Sequence, residues 1–406
     1  MDDVPAGPAS PEPRRFALSV VIPVHNGGSD FERCLRGLRD SSDQRFELIV
    51  VDDGSTDDSA ETARRFGARV LRHESPLGPA AARNLGAKAA SGEVVFFLDA
   101  DVEVHADTLE RARGFFERDP ELTALFGSYD DDPAAPAFVS RYRNLLHHFV
   151  HQQGAFVDDV RPVHTFWTGC GAIRREAFLA LGGFDPERYR RPAIEDIELG
   201  YRIHRNGGKT LLARMVRAKH LKRWTLRQVL FTDIFRRGVP WMLLIERTRS
   251  SETDLNVSLD QRMSVASTAL GAIALTASPI APATALSVWV ASLVVIAWLN
   301  RRFHGLLQER GGLRLRAVGF ACHYLYFWCC GISVILATAI RRRELSRIAR
   351  ATPPGVRLDG AERPTIPAPE VGRRKRRRAA WMRGIVPESR SSEPIVDEPR
   401  SPRPST

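Results

Sequence analysis

Cysteine is scarce in this sequence, and its five residues, Cys34, Cys170, Cys322, Cys329 and Cys330, show no paired metal-ligand spacing. A site built from paired cysteines is excluded, and with three of them inside an apolar run, reduced buried thiols are expected. The N-terminus has no basic segment followed by an apolar core; it opens with Asp2, Asp3 and several prolines. No cleavable signal is expected, and the first domain is expected to stay in the cytoplasm. Net charge is small in the body of the chain. Of the net +11 over 406 residues, +9 lies from Arg341 onward, where 17 basic residues face 8 acidic ones. The basic balance therefore describes a tail, and specific nucleic-acid binding by the folded part is not expected. A Gly-rich basic loop after the first apolar run is also missing, which argues against a nucleotidyltransferase that must cradle a triphosphate.

What is present is a chain of mixed character. Its 43% hydrophobic and 26% charged residues are ordinary for a globular protein and exclude both wholesale disorder and a polytopic transporter. Residues 1–15 are rich in Pro, Ala and Ser, and disorder is expected there. From residue 16 to 222 short β-branched runs, Leu18–Ile22, Phe46–Val51, Ala68–Leu71, Val94–Leu98 and Leu122–Phe126, alternate with helical stretches, Asp30–Arg39, Asp57–Phe66, Pro79–Ala90 and Ala106–Arg118. Such alternation predicts an α/β domain with a mostly parallel sheet flanked by helices, its ligand at the carboxyl ends of the strands.

Beyond Met263 the texture turns apolar. Ser264–Leu299 carries no charged residue, with Pro279 and Pro282 offering a turn, and Ala317–Ile340 is a second uncharged block. Three transmembrane helices are expected, over about 263–281, 283–300 and 317–340, with Arg301, Arg302, Arg310, Arg314 and Arg316 in a cytoplasmic loop. Residues 223–262 mix Trp224, Phe231, Phe235, Trp241 and Leu244 with Arg227, Arg236, Arg237 and Arg247, which suits amphipathic helices at the headgroup boundary. Residues 341–406 read as a disordered basic tail whose Arg373–Arg378 cluster suits contact with anionic lipid.

Three acidic groups carry the chemistry. Strand Val94–Leu98 runs into Asp99 and Asp101, two carboxylates whose repulsion a cation would relieve. Hard oxygen ligands select Mg²⁺ or Mn²⁺, with substrate phosphates completing the shell. Strand Phe46–Val51 ends in Asp52-Asp-Gly-Ser-Thr-Asp57, where capping accounts for Ser55, Thr56 and Asp57 but not for Asp52 and Asp53. Glu195 and Asp196 open a third helical stretch, Ile197–Arg205.

Ser19-Val-Val-Ile-Pro-Val-His-Asn26, Val51-Asp-Asp-Gly-Ser-Thr-Asp57, Gly78-Pro-Ala-Ala-Ala-Arg-Asn84, Phe97-Leu-Asp-Ala-Asp101 and Glu195-Asp196 stand in the order and spacing of the family 2 glycosyltransferases. Over residues 16–225 the chain resembles a membrane-attached, inverting member with the GT-A nucleotide-sugar fold. The resemblance implies that Pro23, His25 and Asn26 face the nucleotide, Asp52 accepts from the base, Arg83 lies near base and diphosphate, and Asp99 near the ribose. Asp101, with Asp99 beside it, matches the metal position, and Asp196 the catalytic base. Glu195 falls on the sugar side, as does Trp167-Thr-Gly-Cys-Gly171 with its Gly169, followed by Arg174 and Arg175. His220-Leu-Lys-Arg-Trp224 resembles a Gln-x-x-Arg-Trp motif of processive synthases with His in place of Gln, so that His220, Arg223 and Trp224 would meet sugar or diphosphate. His147, His148 and His151 read as a polar helix face.

The expected function is transfer of a sugar from a UDP- or GDP-sugar to an acceptor at the cytoplasmic face of the inner membrane, with the catalytic domain cytoplasmic and the protein multi-pass. The acceptor would be a polyprenyl phosphate, a lipid-linked glycan or a growing polysaccharide, with membrane lipids as further partners. A processive synthase and a catalytically silent nucleotide-sugar-binding scaffold are the alternatives.

Overall fold

The computed structural model describes residues 18–248 and 258–351. The expectations for residues 1–15, for the tail beyond 351 and for its Arg373–Arg378 cluster lie outside the described residues.

The N-terminal half alternates as the apolar pattern predicts: β1 (Leu18–Val24), α1 (Gly28–Arg39), β2 (Phe46–Asp52), α2 (Ser59–Arg65), β3 (Arg69–Arg72), α3 (Pro79–Ala89) and β4 (Val94–Leu98). Every residue of β4, Val-Val-Phe-Phe-Leu, is buried, which is why it reads as an unbroken apolar run. The chain continues through β5 (Val102–Val104), α4 (Thr108–Arg118), β6 (Leu122–Tyr129), α5 (Phe138–His151), β7 (Val160–Pro162), β8 (Cys170–Arg174), α6 (Arg175–Ala180), α7 (Glu195–Arg205) and β9 (Lys209–His220). All nine strands join one sheet in the order β3-β2-β1-β4-β8-β6-β9-β5, with β7 on β9.

That sheet is mixed rather than mostly parallel. β1, β2, β3 and β4 pair in parallel, as do β6 and β9. β8 enters between β4 and β6 running against both, and β5 and β7 run against β9. Helices cover both faces. Val20 and Ile22 meet Phe31 and Leu35 of α1 on one side, while Val21 meets Ala80 and Ala87 of α3 on the other. At Gly86 a Cβ would stand 2.3 Å from Val21 Cγ1, so only glycine lets α3 lie this close to the sheet.

Beyond the sheet come α8 (Leu226–Phe231), a π-helical turn at Thr232–Gly238, α9 (Val239–Thr248), α10 (Leu259–Thr276), α11 (Pro282–Leu299) and α12 (Arg301–Ala351). Two of the described helices are long and apolar enough to cross a membrane, Pro282–Leu299 and the stretch Arg301–Arg347. The span expected over 263–281 is not a third. Its helix begins at Leu259 and holds Asp260 in the first turn, and it ends at Thr276. The Arg-rich loop expected after residue 300 is also helical: α12 runs through it, broken at Gly311–Gly312, where Gly312 has φ +68°. Large apolar side chains stand exposed along these helices, among them Leu270, Ile273, Leu286, Val294, Trp298 and Ile335.

The aromatic and basic segment expected at the headgroup boundary is divided between core and surface. Trp224, Trp241 and Leu244 are buried, while Phe231 and Phe235 are exposed. Trp241 donates its indole N–H to the Tyr201 hydroxyl at 3.2 Å, and Asp233 forms a buried ion pair with Arg143 of α5 at 2.6 Å. Helix α12 packs on α5 through Phe303, Leu307 and Leu315 against Tyr142 and Leu145.

Candidate active site

The sheet presents its chemistry at the carboxyl ends of β1, β2 and β4. At the ends of β1 and β2 the loops are tied together by side chains. Asn26 accepts at Oδ1 from the Thr56 backbone N–H at 2.8 Å, and its own N–H donates to Ser55 Oγ at 3.0 Å. His25 Nδ1 lies 2.9 Å from the Asp53 carbonyl. Asp53 is structural: it accepts from the Leu77 and Gly78 N–H groups at 2.9 and 2.8 Å and pairs with His73 at 2.7 Å, tying residues 73–78 to β2. Asp52, fully buried, accepts from the Ser55 N–H through Oδ1 at 2.8 Å. Its Oδ2 lacks a hydrogen-bond partner and has only the Arg72 guanidinium, Nε at 3.4 Å. That is an unspent acceptor where the nucleotide base is expected.

Past the end of β4 opens a cavity of about 320 Å³ that Asp99, Asp101, Glu195, Asp196, Arg83 and His220 all line, together with Trp167 and Trp224. Arg83, on α3, bridges two carboxylates, donating to Glu195 Oε1 at 2.9 Å and to Asp99 Oδ1 at 2.6 Å. Burial opposes its charge, but Asp99 and then Glu195 outweigh that and raise its pKa. Asp196, at the first turn of α7, accepts from the Ile197 N–H at 2.8 Å and the Thr168 N–H at 3.3 Å. Burial, then the neighbouring Glu195 charge, push its carboxyl up to about 7, with Arg83 pulling the other way. A carboxylate at that value is a competent general base near neutrality.

Asp101 is not taken by Arg83. Its carboxylate lies 3.7 Å from both His220 Nε2 and Lys222 Nζ; burial works against its charge, but these two groups hold it well below the usual carboxylate range. His220 stacks on Tyr129, centroids 4.4 Å apart and planes at 7°, and its Nδ1 lies 2.7 Å from Asn144 Oδ1. The Asp101 carboxylate is a hard oxygen ligand that suits a divalent ion of the Mg²⁺ or Mn²⁺ kind, and His220 stands beside it at 3.7 Å. Among the described residues no three His, Cys, Asp or Glu side chains converge to hold an ion by themselves. An ion here would draw its other ligands from phosphate and water.

The structure thus brings together Arg83, Asp99, Asp101, Trp167, Glu195, Asp196, His220 and Trp224. Pro23, His25, Asn26 and Asp52 stand apart from the cavity, at the ends of strands β1 and β2. Gly169 does not line it either, but a Cβ there would come 2.4 Å from the Trp167 ring, so the glycine seats that indole. Arg223 is exposed and outside the cavity. Arg174 and Arg175 are also away from it, donating to the Leu122 and Ala87 carbonyls at 2.8 and 3.0 Å. Tyr129, Asn144, His147, His151 and Arg237 line the cavity without having been expected there. Residues 144, 147 and 151 share one face of α5, so the helical period already pointed them the same way. The polar helix face expected for the histidines turns inward to the cavity: His151 is buried, its pKa lowered by burial and then by Arg161 to about 3.

A mixed sheet flanked by helices and opening at β4 onto this cavity is the GT-A glycosyltransferase fold. Residues 19–182 match the family model described as Glycosyl transferase family 2, so this part of the chain is a glycosyltransferase family 2 domain. It is 31% identical over 246 residues to the pre-mycofactocin glycosyltransferase of Mycobacterium tuberculosis, covering 59% of this chain and 50% of that one. To the validoxylamine A glucosyltransferase of Streptomyces hygroscopicus subsp. limoneus it is 29% identical over 221 residues, 47% of this chain and 48% of that one. The chain spans about half the length, or less, of the curated relatives it matches. Among solved structures, a mannosyltransferase from Pyrobaculum calidifontis in complex with GDP-Man and Mn²⁺ aligns with TM-score 0.49 and 18% identity, covering 78% of this chain and 86% of that one.

Proposed function

We propose that the protein transfers a sugar, with inversion, from a UDP- or GDP-sugar to a lipid-linked or glycan acceptor at the cytoplasmic face of the inner membrane. The observation that carries this reading is one cavity holding both Asp101 and Asp196, the latter with its carboxyl pushed up to about 7.

The base of the nucleotide sits at the ends of β1 and β2, where Asp52 Oδ2 accepts from its imino group. Asp99, fixed by Arg83, orients the ribose. Asp101, with His220 beside it, would hold Mg²⁺ or Mn²⁺, which would supply charge stabilisation to the departing diphosphate. Lys222 adds positive charge on the same side, 3.7 Å from Asp101. Asp196 takes the proton of the acceptor hydroxyl as its oxygen attacks the anomeric carbon, and the Thr168 and Ile197 N–H groups keep that carboxylate aimed. Glu195, held by Arg83, raises the basicity of Asp196 by its charge. Trp167 and Trp224 offer faces against which a sugar ring packs. Attachment to the membrane rests on α11 and α12 and on the apolar side chains exposed along them.

The test is release of nucleoside diphosphate by the purified full chain in detergent, with Mn²⁺ and a panel of nucleotide sugars. Wild type is expected to release it from one of them, and Asp101→Ala to lose about 10²-fold or more, the effect of removing one stabiliser of transition-state charge. Equal release by both would reject the assignment of Asp101.

A further inference from the structure

A second cavity, of about 500 Å³, adjoins the catalytic one, and Arg143, His147, Val150, Arg237 and Trp241 line both. Its remaining wall is largely apolar and comes from four elements: Leu146 of α5, Met242 and Ile245 of α9, Val265 of α10, and Tyr326 and Val334 of α12. The catalytic cavity therefore leads into a space between the glycosyltransferase domain and the helices that carry the exposed apolar surface.

The junction is charged. Arg143 is neutralised by Asp233 at 2.6 Å. Arg237, half-buried in the π-helical turn, makes no hydrogen bond or ion pair among the described residues. A guanidinium left without a partner beside apolar walls is costly unless an anion comes to meet it, and single π-helical turns inside helices are frequent at functional sites. Helix α12 is fitted closely to this turn: a Cβ on Gly238 would stand 2.2 Å from Ser333 Oγ.

Apolar cavity, unpaired cation and general base thus follow one another in space. We propose that the second cavity receives the acceptor, a lipid-borne saccharide whose hydrocarbon chain lies between α9, α10 and α12, whose phosphate meets Arg237, and whose sugar hydroxyl reaches Asp196. This rests on the transferase reading above and narrows its acceptor to an anionic amphiphile. In the transfer, the hydroxyl gives its proton to Asp196 as its oxygen bonds to the anomeric carbon of the donor. The bond from that carbon to the diphosphate breaks, its electron pair leaving on the diphosphate. An acceptor bearing a hydroxyl is what a base of this kind requires; a bare phosphate dianion has no proton to give.

The test measures binding to the full chain in nanodiscs of three probes: C15 isoprenyl phosphate, the C15 isoprenyl alcohol and inorganic phosphate. The phosphate ester is expected to bind about tenfold or more tightly than the alcohol, the worth of one charge-assisted contact. Arg237→Gln should bring the two within about threefold of each other. Val265→Trp, which fills the apolar space, should weaken both chain-bearing probes about tenfold or more. Equal affinity for ester and alcohol, or a preference surviving in Arg237→Gln, overturns the proposal. Inorganic phosphate binding as tightly as the ester assigns the site to a free anion and also overturns it. Release of nucleoside diphosphate by the same preparation keeps the two readings apart. Release without ester binding defeats only the lipid acceptor, and ester binding without release defeats the transferase reading.

Discussion

Asp196→Asn is expected to lower transfer by about 10²–10⁴-fold, the usual contribution of a positioned general base, while the donor still binds. The substitution keeps an oxygen to accept from the Thr168 and Ile197 N–H groups, which Asp196 now meets at 3.3 and 2.8 Å, so the geometry is retained and only basicity is lost. A pH signature follows. Burial and the Glu195 charge raise the Asp196 carboxyl to about 7, so it is protonated and idle below that value and becomes active above it. The wild-type kcat/KM should therefore rise with pH through about 7 and level off, and the residual rate of Asp196→Asn should lack that limb. Rates of the variant matching wild type, or an acid limb persisting in it, would remove Asp196 from the role.

Arg83→Leu is expected to be the most destabilising single change in the site, costing about 3–5 kcal/mol, as removal of one partner of a buried ion pair does. Arg83 and Glu195 leave only 6% and 5% of their side chains exposed, so the loss strands the Glu195 carboxylate in the interior. Asp99, 31% exposed, can turn to water and contributes less. Lysine is a poor substitute, since one ammonium on a flexible stem replaces a planar fork whose separate nitrogens reach Glu195 at 2.9 Å and Asp99 at 2.6 Å. Pairing Arg83→Leu with Glu195→Gln should recover part of the loss, because the stranded charge is gone. Denaturant unfolding of the four proteins in detergent checks this. A cost below about 1 kcal/mol for Arg83→Leu, the worth of an exposed pair, would show that the bridge is not buried in solution.

The N-terminal half of the fold was legible because β1, β2 and β4 are short buried runs separated by well-formed helices, a pattern whose period needs no distant information. The second half was not. β8 begins in Trp167-Thr-Gly-Cys-Gly171, whose glycines read as cleft-lining loop, although Cys170–Arg174 pairs on both edges. β9, Lys-Thr-Leu-Leu-Ala-Arg-Met-Val-Arg-Ala-Lys-His, carries charge along its length and gives no continuous apolar signal. The acids at the strand ends and at the start of α7 were found because their chemistry is local to each motif. The opposite wall of the cavity was missed, since His147, His151 and Arg237 acquire meaning only when α5 and the π-helical turn are folded against the sheet and α12 closes behind them. Arg223 shows the reverse: a motif pattern pointed to it, and it stands exposed outside the cavity.

The account depends on Asp101 and His220 holding a divalent ion in the cavity that Asp196 also lines. Diffraction from crystals of the full chain grown with Mn²⁺ and nucleoside diphosphate, recorded at the manganese edge, tests this most directly. The predicted result is a single anomalous peak bonded to an Asp101 carboxylate oxygen and to His220 Nε2, with diphosphate oxygens completing its shell. A peak elsewhere, or a diphosphate bound away from Asp101 with the nucleotide base remote from Asp52, would contradict it.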